Sequence, residues 1–135
     1  MLPQKHFLIS GASVAPFSFH HPEWILVSGV VSMAIDTDVV VLVWIRSRTE
    51  KSLKKFRNPA EIFTRFEPFM KAFFETGVLK TAMITHLAIS AFILAVTFVF
   101  FRGVIIPVSI GVLTHLLSDI HNFRKFIPSR DTSYL

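Results

Sequence analysis

The chain contains no cysteine. Disulfides and thiolate chemistry are therefore excluded. It also lacks internal repeats and low-complexity segments, so its 135 residues are expected to form one domain, 1–135. No good signal peptide opens the sequence. Lys5 and a short apolar run lead to a candidate cleavage site at Ser13-Val14-Ala15, but Pro16 follows it directly. Proline at that position blocks cleavage. Residues 7–19 are accordingly expected to be retained as an interfacial or re-entrant segment.

Acidic residues are also scarce, 9 against 14 basic ones, giving a formal net charge of +5. Such an excess can signal nucleic acid, but its distribution argues otherwise. Six of the 14 basic residues crowd into positions 46–57. A juxtamembrane cluster of this kind reads as a cytoplasmic loop lying against anionic lipid headgroups. Nothing in the sequence requires nucleic-acid binding.

Apolar residues, by contrast, are abundant. They make up 52% of the chain, including 15 Phe, and the mean hydropathy is +0.57. A domain this small has too little interior to hide so much apolar surface. Three stretches, 24–45, 79–101 and 103–123, are each long enough to span a bilayer, which takes about 20 helical residues. Trp24 and Trp44 stand near the ends of the first, where interfacial aromatics belong.

Between the first two stretches lies a segment of different character. Asn58 can cap a helix, Pro59 suits its first position, and Glu61 follows three residues after the cap. Ile62, Phe63, Phe66, Phe69, Met70, Phe73 and Phe74 then recur at helical spacing. Glu61, Arg65, Lys71 and Glu75 take the opposite face. This predicts an amphipathic helix over about 59–76 with a kink at Pro68, lying in the membrane interface or packed on the bundle. The expected fold is all-α: a polytopic membrane protein with three transmembrane helices plus this interfacial helix.

The positive charge of 46–57 and 124–130 orients the spans. Both segments are expected on the cytoplasmic side of a plasma or inner membrane, with the N-terminus outside. Counted from the cytoplasmic ends, Asp38 and Asp36 lie seven and nine residues into the first span. His86 lies seven into the second, and His115 and Asp119 eight and four into the third. At about 1.5 Å per residue these groups share a layer roughly 6–14 Å deep. Ionisable side chains inside spans mark functional sites by default. Imidazoles and carboxylates converging in a partly desolvated pocket are what a divalent metal requires, and this mixture suits Zn or Mn better than Mg. The expected metal ligands are Asp36, Asp38, His86, His115 and Asp119, with His121 as candidate general base. One geometric obstacle stands out. Residues i and i+2 of an ideal helix point about 200° apart, so Asp36 and Asp38 can serve one site only if the helix breaks.

At these residues the chain resembles a family of small multi-pass, membrane-bound, metal-dependent hydrolases, the group around the LexA-binding inner-membrane protein. Ile35-Asp36-Thr37-Asp38 is similar to the family's Pro-Asp-x-Asp-His. Thr85-His86 is similar to the end of its His-Arg-x-x-Thr-His. Thr114-His115-Leu116-Leu117-Ser118-Asp119 is similar to its Ser/Thr-His-Leu-Leu-x-Asp. Val39 and Thr81 stand where the family has two further histidines. The resemblance implies hydrolase chemistry, and a site that opens near the cytoplasmic leaflet favours a phosphate-ester or lipid-linked substrate. Two other readings stay open on the residues alone: a proton- or cation-conducting or carrier subunit, which three spans would build only as a homo-oligomer, and a non-catalytic membrane partner.

Overall fold

The computed structural model describes residues 3–123. Among these, every regular element is helical. Helix α1 (Pro3–Val14) runs into a 3-10 turn at Ala15–Phe17, and α2 (Glu23–Ile35) returns alongside it. Helix α3 (Thr37–Arg46) continues almost directly from α2. A 3-10 segment, Lys51–Arg57, leads to the short helices α4 (Pro59–Thr64) and α5 (Phe66–Glu75). Two long helices follow, α6 (Val78–Phe100) and α7 (Ile105–Phe123).

Three segments are long and apolar enough to cross a membrane: Glu23–Arg46, Val78–Phe100 and Arg102–His121. They match the three stretches read from the sequence to within about two residues, the precision at which helix ends are defined. The all-α membrane architecture follows. Of the segment expected as interfacial or re-entrant, residues 7–19, the part in α1 lies against both α2 and α7, while Phe17 and Phe19 beyond it are exposed.

The Phe-rich segment is two helices where the sequence predicted one. The backbone breaks at Arg65 (φ −128°, ψ 50°), three residues before Pro68. Proline lacks the N–H that would bond the Thr64 carbonyl, and its ring crowds that carbonyl, so the helical ladder fails on the N-terminal side. Asn58 caps α4 as expected, accepting a hydrogen bond from the Ala60 N–H at 3.1 Å. Gly77, at φ +69°, supplies the left-handed residue that ends α5 and lets α6 start at once.

Packing divides into two apolar clusters. Phe69, Met70 and Phe73 of α5 join Val43, Leu53, Phe56, Val78, Leu79 and Ala82 around the loop end of the bundle. Phe69 is central, with ring centroids 5.3 Å from Phe56 and 5.1 Å from Phe73. The apolar face of α5 therefore seals the ends of α3 and α6, while Phe63 and Phe74 stay exposed. Ile35, Val108 and Val112 form the second cluster, with Val31, Leu94 and Leu116 against it. Asp36 and Asp38 follow directly on Ile35 and precede Val43, so the ionisable layer falls between the two. The basic tail, 124–130, lies outside the described residues.

Candidate metal centre

Four helices approach the ionisable layer, each with a stripe of residues four apart. These are His6-Ser10-Val14 on α1, Ser28-Ser32-Asp36 along α2, Ala82-His86-Ser90 on α6 and Gly111-His115-Asp119 on α7. All are buried except Asp36, which is nearly so. Half of the stripe residues are glycine, alanine or serine, and small residues let helix backbones approach closely where no water competes. The closest approach is at Gly111. A Cβ there would meet the Ser28 carbonyl oxygen at 2.6 Å, too close for any side chain. Ser10 Oγ hydrogen-bonds Thr114 Oγ1 at 2.6 Å, and Ser28 Oγ donates to the Ser10 carbonyl at 3.2 Å. These contacts fix α1, α2 and α7 in register and bring each stripe's ionisable residue to one level.

The obstacle of the two aspartates is resolved by the backbone. Helical geometry lapses at Asp36 (φ −64°, ψ −11°), and the Val39 N–H reaches back only three residues, to the Asp36 carbonyl, at 3.2 Å. Thr37 Oγ1 supports the turn by donating to the Ala34 carbonyl at 2.7 Å. Tightening toward three residues per turn narrows the angle between i and i+2 from about 160° to about 120°. Both carboxylates then reach the same imidazole from different sides. His86 Nδ1 lies 2.7 Å from Asp38 Oδ2, and His86 Nε2 lies 3.8 Å from Asp36 Oδ1. Thr85 Oγ1 also donates to Asp38 Oδ2. With Asp38 holding Nδ1, His86 presents Nε2 to the centre of the layer, 3.5 Å from Asp119 Oδ2.

Asp119 is the hub. Besides His86, its carboxylate has His115 Nε2 at 3.3 Å and His6 Nε2 at 3.2 Å. Asp36 lies 3.8 Å from His115 Nε2 and 3.9 Å from His6 Nε2. The rings of His6 and His115 have centroids 4.2 Å apart, and those of His86 and His115 are 5.3 Å apart. His6, Asp36, His115 and Asp119 each offer a ligand atom, and these atoms all lie within 4.8 Å of one another. The four could hold a metal ion.

Their surroundings point the same way. Both nitrogens of His6 and both of His115 are buried without a hydrogen-bond partner, as is Asp36 Oδ2. The Nε2 atoms of His6 and His115 do lie at ion-pairing distances from Asp119 and Asp36. A buried polar atom left without a hydrogen bond costs about 1–3 kcal/mol, and several in one place mark a site built for something more than mutual pairing.

Of the residues expected from the sequence, Asp36, His115 and Asp119 enter this group of four. His86 and Asp38 adjoin it, His86 through Nε2 and Asp38 through its bond to His86. His121 is not brought in. It is exposed in the last turn of α7, about 160° around the helix from Asp119. His20 and His21 lie before α2, at its far end, where His21 pairs with Glu23 at 2.9 Å and stacks on Trp24. The residue that sequence reasoning missed is His6. Its signal was present in the spacing of His6, Ser10 and Val14, which makes one side of α1 small and polar enough to join a bundle. No protein-family model matches the chain, and neither a curated protein nor a solved structure is similar to it, so the family expectation rests on the motifs alone.

Proposed function

We propose that the protein is a membrane-embedded, metal-dependent hydrolase acting on a phosphate-ester or lipid-linked substrate near the leaflet that faces the basic loop. The observation that supports this reading is the buried quartet of two imidazoles and two carboxylates, with its unpartnered nitrogens. The donor set fits a divalent cation. Two neutral imidazoles and two carboxylates balance its charge, and two nitrogen ligands favour Zn or Mn over Mg.

When bound, the ion would act as a Lewis acid on an ester or phosphoryl oxygen. His6, Asp36, His115 and Asp119 would hold it. Asp38, bonded to His86 Nδ1, fixes the tautomer and direction of that ring, the usual work of a carboxylate behind an active-site imidazole. His86 Nε2 then faces the centre, and in its neutral form the ring would take a proton there from an attacking water. Hydrolysis delivers the water's OH to the acyl carbon or phosphorus and its proton to the departing oxygen. No redox partner is needed.

The membership in the hydrolase family, the plasma- or inner-membrane location with a cytoplasmic C-terminus, and headgroup contacts by residues 46–57 belong to the same proposal. Arg48 and Arg57 support the last. Both stand over the half-exposed Trp44 ring, 4.3 and 6.0 Å from its centroid, so two cations share the interface end of α3. Metal analysis of detergent-purified protein is the deciding experiment. Stoichiometric zinc or manganese lost in His115→Ala supports the reading; metal-free protein that stays metal-free on zinc titration refutes it.

A second reading draws on one specific feature. His86 is hydrogen-bonded on one nitrogen and close to two carboxylates on the other, which is also the arrangement of a proton relay. Proton flux in liposomes, abolished in His86→Ala, would favour it.

A further inference from the structure

The two carboxylates at the middle of the ionisable layer each face two ways. Asp36 Oδ1 lies 3.8 Å from His86 Nε2 and 3.8 Å from His115 Nε2, whereas its Oδ2 lies 3.9 Å from His6 Nε2. Asp119 repeats the division. Its Oδ2 lies 3.5 Å from His86 Nε2 and 3.3 Å from His115 Nε2, and its Oδ1 lies 3.2 Å from His6 Nε2. One oxygen of each carboxylate therefore turns to His86 and His115, and the other turns to His6.

These spacings suit ligands around ions. Five of the six separations exceed the ~2.7–3.2 Å of an N–H···O hydrogen bond. Ligand atoms held about 2.0–2.2 Å from a tetrahedral ion stand about 3.3–3.6 Å from one another, and the six separations scatter around that length. The donor count agrees. His6, His86 and His115 turn three nitrogens to the centre, and Asp36 and Asp119 supply four oxygens. A single four-coordinate ion leaves three of these seven donors unused. A closed site of four donors beside an open site of three uses them all. Independently, the ring nitrogens of His6 and His115 and Asp36 Oδ2 are buried with no hydrogen bond.

We infer that the layer is a two-ion centre bridged by Asp36 and Asp119. One ion takes His86, His115, Asp36 Oδ1 and Asp119 Oδ2. The other takes His6, Asp36 Oδ2 and Asp119 Oδ1, and keeps a position open for water or a substrate oxygen. The inference rests on the metal reading above and deepens it. With one ion, His86 is left to handle a proton; a second ion makes that ring a ligand. Asp38, 2.7 Å from His86 Nδ1, then stands as the carboxylate behind a metal-bound imidazole. An ionised carboxylate accepts at about four sites, so bridging leaves Asp119 able to keep its other contacts. Two ions about 3.5–4 Å apart clamp the attacking and leaving oxygens of an in-line displacement, which favours a phosphate ester over a carboxylic one.

The test loads the tag-free full chain, purified in detergent, with manganese. Metal analysis counts the ions, and electron paramagnetic resonance asks whether they are neighbours. The wild type should saturate at two ions per chain. Its hyperfine lines should be more closely spaced than those of a lone manganese ion, because the two spins couple through the shared carboxylates. His86→Ala should saturate at one ion, with the lone-ion spectrum. One ion per chain in the wild type overturns the inference and leaves the metal reading standing. Two uncoupled ions also overturn it, since the second then sits elsewhere, as at the exposed His20 and His21. So does a coupled pair that survives in His86→Ala. Protein that takes up no ion refutes the metal reading and this inference with it, so the two failures are distinguishable. The wild-type count and spectrum decide the matter even where His86→Ala fails to fold.

Discussion

Gly111→Ala tests how the site is assembled, because it alters no ionisable group. The added methyl would sit 2.6 Å from the Ser28 carbonyl oxygen, whereas ordinary van der Waals contact begins at 3.4 Å. The obstacle is backbone, so it cannot swing aside as a side chain would. Helices α2 and α7 must part locally by about 0.8 Å. Overpacking of this kind costs about 1–3 kcal/mol. His115 lies one turn further along the same face of α7, and Asp36 lies two turns beyond Ser28 on the α2 side. The separation is therefore imposed on two members of the candidate metal group that face one another. Metal–ligand distances tolerate only about 0.2 Å, so zinc affinity should fall by about 10–100-fold, the range seen when supporting interactions around a metal are removed. Isothermal titration with zinc, alongside thermal unfolding in detergent, measures both effects. Gly103→Ala is the control, since nothing lies within 4 Å of a Cβ there. Unchanged zinc affinity in Gly111→Ala, with the variant folded, would show that the α2–α7 contact does not set the geometry of the site.

Other substitutions separate the roles within the layer. His6→Ala should lose zinc as His115→Ala does, measured by metal analysis, because each removes one of two imidazoles; Asp119→Asn should bind it more weakly. Structural pairing alone predicts lower stability with no metal to lose. Asp38→Asn should leave zinc bound but let the His86 ring turn, visible as a changed His86 tautomer in nitrogen NMR spectra. Phe69→Ala should cost about 3–5 kcal/mol in thermal unfolding, and Phe63→Ala, exposed on α4, about 0.5 kcal/mol or less. Reporters placed in the 46–57 loop and after Lys125 should report the same side of the membrane; opposite sides would remove the common depth of the three spans.

The spans were legible because length and hydropathy suffice to define them: a bilayer constrains a helix more simply than a protein core does. The common depth of Asp36, His86 and Asp119 was legible by counting from charged ends. Two features needed the fold. Which way Asp36 and Asp38 point depends on about 40° of local overwinding at one residue, and no composition rule reports that. The split of the Phe-rich helix at Arg65 was half legible, since Pro68 announces a disruption but not that it falls three residues upstream.

His6 escaped for a different reason. Counting depth from charged span ends cannot place a 12-residue helix that is too short to cross, and α1 reaches the layer only because it folds back on α2. The stripes explain why it does so. On α1, α2, α6 and α7, residues four apart are small or polar, and each stripe carries one His or Asp into the layer, with a second on α7. Helices in lipid gain no hydrophobic drive to associate, so close contact between small residues must hold them together. The same spacing that permits that contact stacks the ionisable groups on the buried side of each helix. Packing and chemistry are thus one pattern in this chain. A bundle that closes at Gly111, Ser28 and Ser10 brings His115, Asp36 and His6 face to face, in a group that could hold a cation.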